Sequence, residues 1–581
     1  MDVLMPLPFS QVATMYEQLE KITSGNKMRE ILSSFFRKVP KEDMDKVVYL
    51  SVGKIASDFE DINFGMAEKM AIKSIAQATK KQEHSLVALF KKRGDLGIVA
   101  AELVGKAEGE LMVNDIFITL QKIAAVSGTG SQEQKIALLS ELLRKASPIE
   151  AKYIIRIVLG TMRLGAGNMT ILDALAIAYT GNKVNKKKLE QAYNICPDLG
   201  VIAKMLITNG LRGIERIGVR VGRPIKMMLA SRVNTLQELQ EKMSGKIAAE
   251  EKYDGERVQI HFLGKKIILY SRRLENITSQ FPDIALLAQK QLTGKSYIVE
   301  GEIVAVDENG KLLPFQMLMQ RRRKYEIQEY AKKIPVCLFL FDLLYLNGKS
   351  YLSESYAKRR AVLNKIVKEK ENCFMLARQV VSDKLADVTA FFKQALTRGC
   401  EGIIAKSVAP HSIYQAGTRG WLWIKWKKEY VKDLSDTFDL VVVGAFMGRG
   451  RRKGTYGALL CAAYNEKDDT FETFCKLGSG FRDEQLHALP QQFKKFITPQ
   501  KPARLVVNKS LIPDVWLEPK IVVEVLGAEL TKSPIHTCVL EKDHGIALRF
   551  PRFVRFRDDK SPEQATTSHE ILQMYKERMR K

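Results

Sequence analysis

A lysine can act as a nucleophile only when it is neutral, so the lysines of interest are those fixed in a turn among other charges. One such stretch lies mid-chain: Glu250-Glu251-Lys252-Tyr253-Asp254-Gly255-Glu256-Arg257. The run after it, Val258-Gln259-Ile260-His261-Phe262-Leu263, alternates apolar and polar residues as a half-buried strand does. Asp-Gly between two extended runs is a strong short-range hairpin signal, which predicts Lys252 at or near a hairpin tip. Taken alone, these eight residues read better as a surface lysine on a turn, of which the chain has many.

Further charged segments follow. Tyr270-Ser271-Arg272-Arg273 ends a strand, and Val299-Glu300-Gly301-Glu302 opens another. Gly399-Cys400-Glu401-Gly402 precedes the strand Ile403-Ile404-Ala405-Lys406. In Trp421-Leu422-Trp423-Ile424-Lys425-Trp426-Lys427-Lys428, alternation puts Lys425 and Lys427 on one face. A candidate nucleophile, cations suited to a triphosphate and strand-end carboxylates suited to a divalent metal together point to chemistry at phosphorus. A free lysine is neutral in only about one molecule in 2,500 at pH 7, a deficit of roughly 4.6 kcal/mol. Lowering its pKa to about 8, through the repulsion of Arg257, Arg272, Lys425, Lys427 and bound metal, would recover roughly 3.3 kcal/mol of that.

The elements that position these residues divide the chain into three. Its 581 residues are too many for one core. Residues 1–215 read as helices, with three-to-four-residue apolar spacing in stretches such as Glu133 to Leu143. Within them, the loop Gly160-Thr161-Met162-Arg163-Leu164-Gly165-Ala166-Gly167 precedes a helix. Backbone N–H groups there could approach a phosphate, with Arg163 adding charge, although a plain helix–helix turn fits too. The basic, Pro- and Gly-punctuated stretch from Val219 to Lys226 reads as a linker. Residues 216–430 alternate strands and helices around a buried strand from Val336 to Leu346, an α/β (α+β) block. Residues 431–581 hold short strands spaced by glycine-rich turns, which fits a small β-barrel.

Charge narrows the partners. Lys+Arg 92 against Asp+Glu 66 leaves +26, which points to a polyanion, most economically nucleic acid. No 18-residue apolar run and no basic amphipathic helix favours a membrane. Seven scattered cysteines without a CxxC pair read as reduced residues of an intracellular protein, not as a zinc site. The start, Met1-Asp2-Val3-Leu4, shows no signal peptide, so a cytoplasmic location is expected.

In order along the chain, these segments resemble the motifs of the covalent nucleotidyltransferase superfamily. Lys252-Tyr253-Asp254-Gly255-Glu256-Arg257 is similar to its first motif, KxDGxR. Ser271-Arg272-Arg273, Glu300-Gly301-Glu302, Phe341-Asp342-Leu343, Glu401 to Lys406 and Lys425-Trp426-Lys427 resemble the next ones. The close, Arg549-Phe550-Pro551-Arg552 to Lys560, resembles the last motif. Ile154 to Gly165, Pro224 to Arg232 and the tail after Asp559 are similar to ATP-dependent DNA ligases of the archaeal and eukaryotic replicative type. An RNA ligase or capping-type enzyme has no use for the helical region, and a purely DNA-binding protein none for the lysine.

The resemblance implies a helical DNA-binding domain (1–215), an adenylation domain (216–430) and an OB-fold domain (431–581), joined by linkers. It implies ATP as co-substrate, Mg2+ or Mn2+ as metal, and a lysyl-AMP on Lys252 passed to nicked duplex DNA in replication, repair and recombination. Glu250 would fix the adenine edge and Phe341 would stack on the ring. Arg257, Arg272 and Arg419 would hold ribose and phosphates. Glu302 would bind ribose or metal, and Glu401 would place the metal. Lys425 would touch the α-phosphate with Lys427 assisting, while Arg557, Asp558 and Lys560 would orient pyrophosphate. Arg163 and Gly165 would contact DNA. Relatives often carry an apolar residue where Glu251 stands, so Glu251 is expected to face outward. A sliding clamp is a possible partner of a monomer, yet no clamp-binding box occurs between Glu108 and Ile116; Ser34-Phe35-Phe36 is a partial echo that reads as helix core.

Overall fold

The computed structural model describes residues 6–105, 110–321, 327–427, 436–448, 452, 454–527 and 529–580. They form two compact units, Met1–Trp426 and Lys427–Lys581. The expected boundary at 430 lies outside the described residues, as does Glu108 of the expected clamp loop.

The described residues before 216 are helices and turns, apart from one bridge between Pro8 and Met112. Local chemistry sets the ends. Ser147 and Glu150 form a capping box ahead of Pro148–Val158, with proline at the first turn, where no N–H is needed. Asp95 and Asp198 accept from the first N–H groups of Leu96–Leu103 and Leu199–Glu215. Leu32, Phe36, Ile154, Leu172 and Ile202 are fully buried in one core. Phe36 is therefore helix core, as its sequence setting predicts.

From Leu229 to Lys427 two sheets alternate with helices. The strands are β1 (Leu229–Arg232), β2 (Ile247–Lys252), β3 (Glu256–Leu263), β4 (Lys266–Ser271), β5 (Ser296–Ala305), β6 (Val336–Leu346), β7 (Lys349–Ser350), β8 (Phe374–Leu376), β9 (Gln379–Ser382), β10 (Gly402–Ser407) and β11 (Arg419–Lys427). One sheet has the order β1-β11-β10-β2-β9; the other runs β4-β3-β5-β6-β7, with β8 on β6. Most of these pairings are antiparallel, β1 on β11 and β8 on β6 being parallel. The block is thus α+β in character. β6 reads as a continuous apolar run because both its faces are covered.

The expected linker is no free tether. Ile225 and Met228 are fully buried with Ile298, Leu344, Tyr414 and Trp423. Gln259 takes both backbone groups of Ile225, at 2.7 and 3.1 Å, and His261 Nδ1 accepts the Gly222 N–H at 3.1 Å. Lys226 lies 3.8 Å from the Tyr193 ring centroid, and burial pushes its ammonium down to about 8. Glycine and proline kept the stretch from forming a regular element, and its apolar residues then found a core.

In the second unit, β12 (Asp436–Met447), β13 (Tyr456–Asn465), β14 (Thr470–Leu477), β15 (Ile497–Thr498), β16 (Leu505–Val506) and β17 (Val515–Gly527) form one sheet. β18 (Glu529–Ser533) pairs with β19 (Gly545–Arg549), and β20 (Arg552–Phe556) with β17. The sequence from Ala547 to Phe553 reads as one strand; it breaks at Phe550, whose φ of 54° turns the chain before Pro551. No described helix is long and apolar enough to cross a membrane.

His261 is 1% exposed and burial lowers its pKa to about 3, so it is neutral when folded while the unfolded chain takes up a proton below about 6.5. Stability should therefore fall as pH drops from 6.5 toward 4, by up to about 1.4 kcal/mol per pH unit from this group. Urea midpoints should track that fall in the native protein and less steeply in His261→Gln.

Candidate active site

Lys252 closes β2, and the chain then leaves that sheet. Tyr253-Asp254-Gly255 carries it into β3 of the other sheet, so β2 and β3 are not partners: β2 pairs with β10 and β9, β3 with β4 and β5. This corrects the hairpin expectation; Asp-Gly makes a crossing between sheets. A Cβ on Gly255 would lie 2.2 Å from the Ile303 carbonyl oxygen, so a side chain cannot pass there. The Lys252 carbonyl accepts the Glu401 N–H at 2.8 Å, and the Tyr253 ring stacks on Phe339 at 4.1 Å. The lysine is therefore fixed on both sides.

Its ammonium forms an ion pair with the Glu401 carboxylate. Glu302, on β5 of the other sheet and in register with Arg257, is half-buried and close enough to feel both charges. Burial pushes its carboxyl up to about 8; Lys252 and Arg257 oppose the shift and Glu401 adds to it. Two carboxylates thus converge on one lysine. Hard oxygen donors of this kind suit a magnesium-like cation, which takes one or two carboxylates and completes its shell with phosphate and water. Among the described residues no group of three or more His, Cys, Asp or Glu side chains has metal-site spacing, so substrate oxygens would have to supply the rest.

Glu250 sits two residues before the lysine and shares its face of β2. It is 2% exposed and bound to Lys406, Arg360 and the Tyr356 hydroxyl. Arg257 donates to Glu300 at 2.8 Å and to the Met228 carbonyl at 2.8 Å, under the rings of Phe341 and Trp423. Tyr414 and Gln259 hold Glu300 from its other oxygen. The pair is buried, which binds Arg257 tightly and keeps its orientation fixed. Phe341 is half-buried, edge-on to Trp423 at 6.2 Å.

Glu251 does not face solvent as expected. It points away from Lys252, yet it is 5% exposed, paired with Arg398 and accepting the Tyr253 hydroxyl at 2.7 Å. Strand alternation put it on the far side of β2, where the helix Leu385–Thr397 ends and supplies the arginine.

The remaining expected residues are more scattered. Arg272 follows β4 and Arg419 opens β11, both exposed. Lys425 and Lys427 are half-buried and, with Trp423, alternate onto one face of β11. Arg557, Asp558 and Lys560 belong to the second unit. There Arg557 and Lys560 both bind Asp439, at 2.9 and 2.7 Å, while Asp558 is exposed. In the helical region Arg163 has a φ of 56° and Gly165 a φ of 70°, both ahead of the helix Asn168–Thr180. Arg163 is held by Asp95 at 2.9 Å and by the Gly94 carbonyl at 3.2 Å.

Three family models match the chain: DNA ligase N terminus over residues 8–176, ATP dependent DNA ligase domain over 227–427, and ATP dependent DNA ligase C terminal region over 452–560. It is 47% identical to a DNA ligase of Staphylothermus marinus, over 99% of this chain and 100% of that one. It is 46% identical to DNA ligase 2 of Thermofilum pendens, over 98% and 97%. The chain belongs to the ATP-dependent DNA ligases. A solved structure titled Pmar-Lig_Pre shares the fold, with a TM-score of 0.58 at 17% identity over 94% of this chain and 99% of that one.

For this ligase the sequence analysis left out Tyr356, Arg360 and Tyr414 and gave the quoted Trp423 no role, though the fold brings all four to the charged residues above. Tyr356 and Arg360 lie on a helix whose apolar spacing gave no hint that its buried face is polar. Lys406 stood within a quoted motif without a role.

Arg398→Ala in this ligase should leave Glu251 buried without its cation and lower stability by about 1–3 kcal/mol. Urea denaturation checks this, and Glu251→Gln combined with Arg398→Ala should recover part of the loss.

Proposed function

We propose that this ligase seals nicks through a lysyl-AMP formed on Lys252. The observation that carries the reading is the fixed position of Lys252 between two carboxylates, at a crossing where its backbone cannot shift. The Lys252 amine, having given one proton to water, attacks the α-phosphorus of ATP; a P–N bond forms, the bond to pyrophosphate breaks, and the second proton lost by the nitrogen also goes to water. Lys252 is paired with Glu401, and attack requires that pair to open and the amine to be neutral. Glu302 and Glu401 would hold Mg2+ or Mn2+, whose chemistry is to neutralise phosphate charge.

Around this centre Glu250 reads the adenine edge and Phe341 stacks on the ring. Arg257, Arg272 and Arg419 take ribose and phosphates. Lys425 takes the α-phosphate with Lys427 beside it. Arg557, Asp558 and Lys560 orient pyrophosphate from an OB-type barrel, and Arg163 with Gly165 contacts the DNA backbone. The 5′-phosphate of the nick then accepts AMP, the 3′-hydroxyl attacks that phosphate, and AMP leaves. Six of the seven cysteines are buried and none forms a disulfide, which fits a reducing cytoplasm, and a DNA substrate would place the protein at the nucleoid. The working unit is read as a monomer on nicked duplex DNA with domains 1–215, 216–430 and 431–581.

Incubation with α-labelled ATP and Mg2+ should give a labelled protein that discharges onto nicked duplex. Lys252→Ala should abolish the adduct; an adduct that survives this change would refute the mechanism.

Arg163→Ala should weaken nick binding about tenfold at moderate salt and reduce the slope of log affinity against log salt by about one, read by anisotropy titration.

A further inference from the structure

The carboxylate of Glu250 carries more partners than a solitary binding residue needs. One oxygen takes the Tyr356 hydroxyl and the Arg360 guanidinium, the latter at 3.2 Å; the other takes the Lys406 ammonium. A carboxylate has about four lone-pair sites, so one is left for a ligand.

None of the three donors is available to a ligand in place of Glu250. Lys406 is 1% exposed, and its ammonium lies 4.6, 4.7 and 4.3 Å from the ring centroids of Phe341, Tyr356 and Trp423. It also reaches the Phe341 carbonyl at 3.4 Å. Arg360 gives its other N–H groups to the Ala377 carbonyl at 2.7 Å and to Asn364 at 3.0 Å. The Tyr356 hydroxyl also contacts Gln379 at 2.9 Å.

Two cations and a hydroxyl all direct donors at this one carboxylate, and a carboxylate so held accepts hydrogen bonds without donating any. A 6-amino purine offers an N–H to such a group. A 6-oxo purine offers a carbonyl oxygen, which meets negative charge at this carboxylate. We propose that Tyr356, Arg360 and Lys406 are positioning residues that hold Glu250 as an acceptor-only reader of the base, so that the site selects 6-amino over 6-oxo purine nucleotides. The proposal rests on the reading of Glu250 as the base-edge residue given above. A cluster that merely tied β2 to the helix Tyr356–Ile366 and to β10 would affect both nucleotides alike.

The test follows adduct formation on the full-length protein with α-labelled ATP or ITP, which differ at the 6 position of the base. Native protein should favour ATP by about a hundredfold or more in kcat/KM for labelling. Lys406→Met and Tyr356→Phe should each lower that ratio by about tenfold, and Glu250→Gln, whose amide can also donate, should bring it toward unity. A ratio unchanged in the variants, with both rates falling together, overturns the proposal. So does native labelling by ITP at a rate near that by ATP, an outcome that leaves the lysyl-AMP reading standing. Absence of any adduct on native protein removes that reading and the proposal with it. Should Lys406→Met fail to fold, Tyr356→Phe decides, because it removes a single oxygen atom.

Discussion

Between Lys252 and Glu256 the chain passes from one sheet to the other, and the passage exists because Gly255 lies against the carbonyl of Ile303. The rest of the nucleotidyltransferase region is arranged around that contact. With β2 in one sheet and β3 in the other, the lysine stands where the two meet. Glu302 arrives on β5 because β5 pairs with β3, and Glu401 arrives at the head of β10 because β10 pairs with β2. A lysine and two acidic side chains from distant segments are thus brought together by strand pairing, which is stiff and sets register to the residue.

Burial then sorts the charges. Among the described residues of this region, charged clusters such as Glu250 with Lys406 and Arg360, Glu300 with Arg257, and Asp342 with Arg359 are buried. Replacing such clusters with apolar residues often costs nothing in stability, so stability alone does not account for them. What they supply is fixed orientation in a low-dielectric setting, where each remaining hydrogen-bond site has a defined direction. Glu302 and Lys252 stand outside these clusters and are half-buried.

The helical region and the segment after it serve the same arrangement. The stretch from Val219 to Met228 is tied to β3 through Gln259 and His261 and to the helix Lys186–Ile195 through Lys226. Met228 then presents its carbonyl to Arg257, so an apparently irregular stretch forms one wall of the site. Arg163, by contrast, lies on a glycine-bounded loop with its guanidinium steered by Asp95, the carboxylate that also caps a helix and pairs with buried Arg156.

The sequence by itself determined the helical character of the described residues before 216 and the strands of the middle region, and it singled out Lys252, Glu302 and Glu401, which the fold brings near one another. Periodicity and motif order are local properties, and they survive without knowledge of partners. The tertiary structure decided what Asp-Gly does after the lysine, since a turn signal fixes a change of direction but not which strand is paired next. It also decided the fate of Glu251, because alternation says that a side chain points away from its neighbour and not whether an arginine waits there. Tyr356, Arg360 and Tyr414 entered the site only through packing. Their partners lie 106, 110 and 114 positions away along the chain, and no pattern in a local window carries that information.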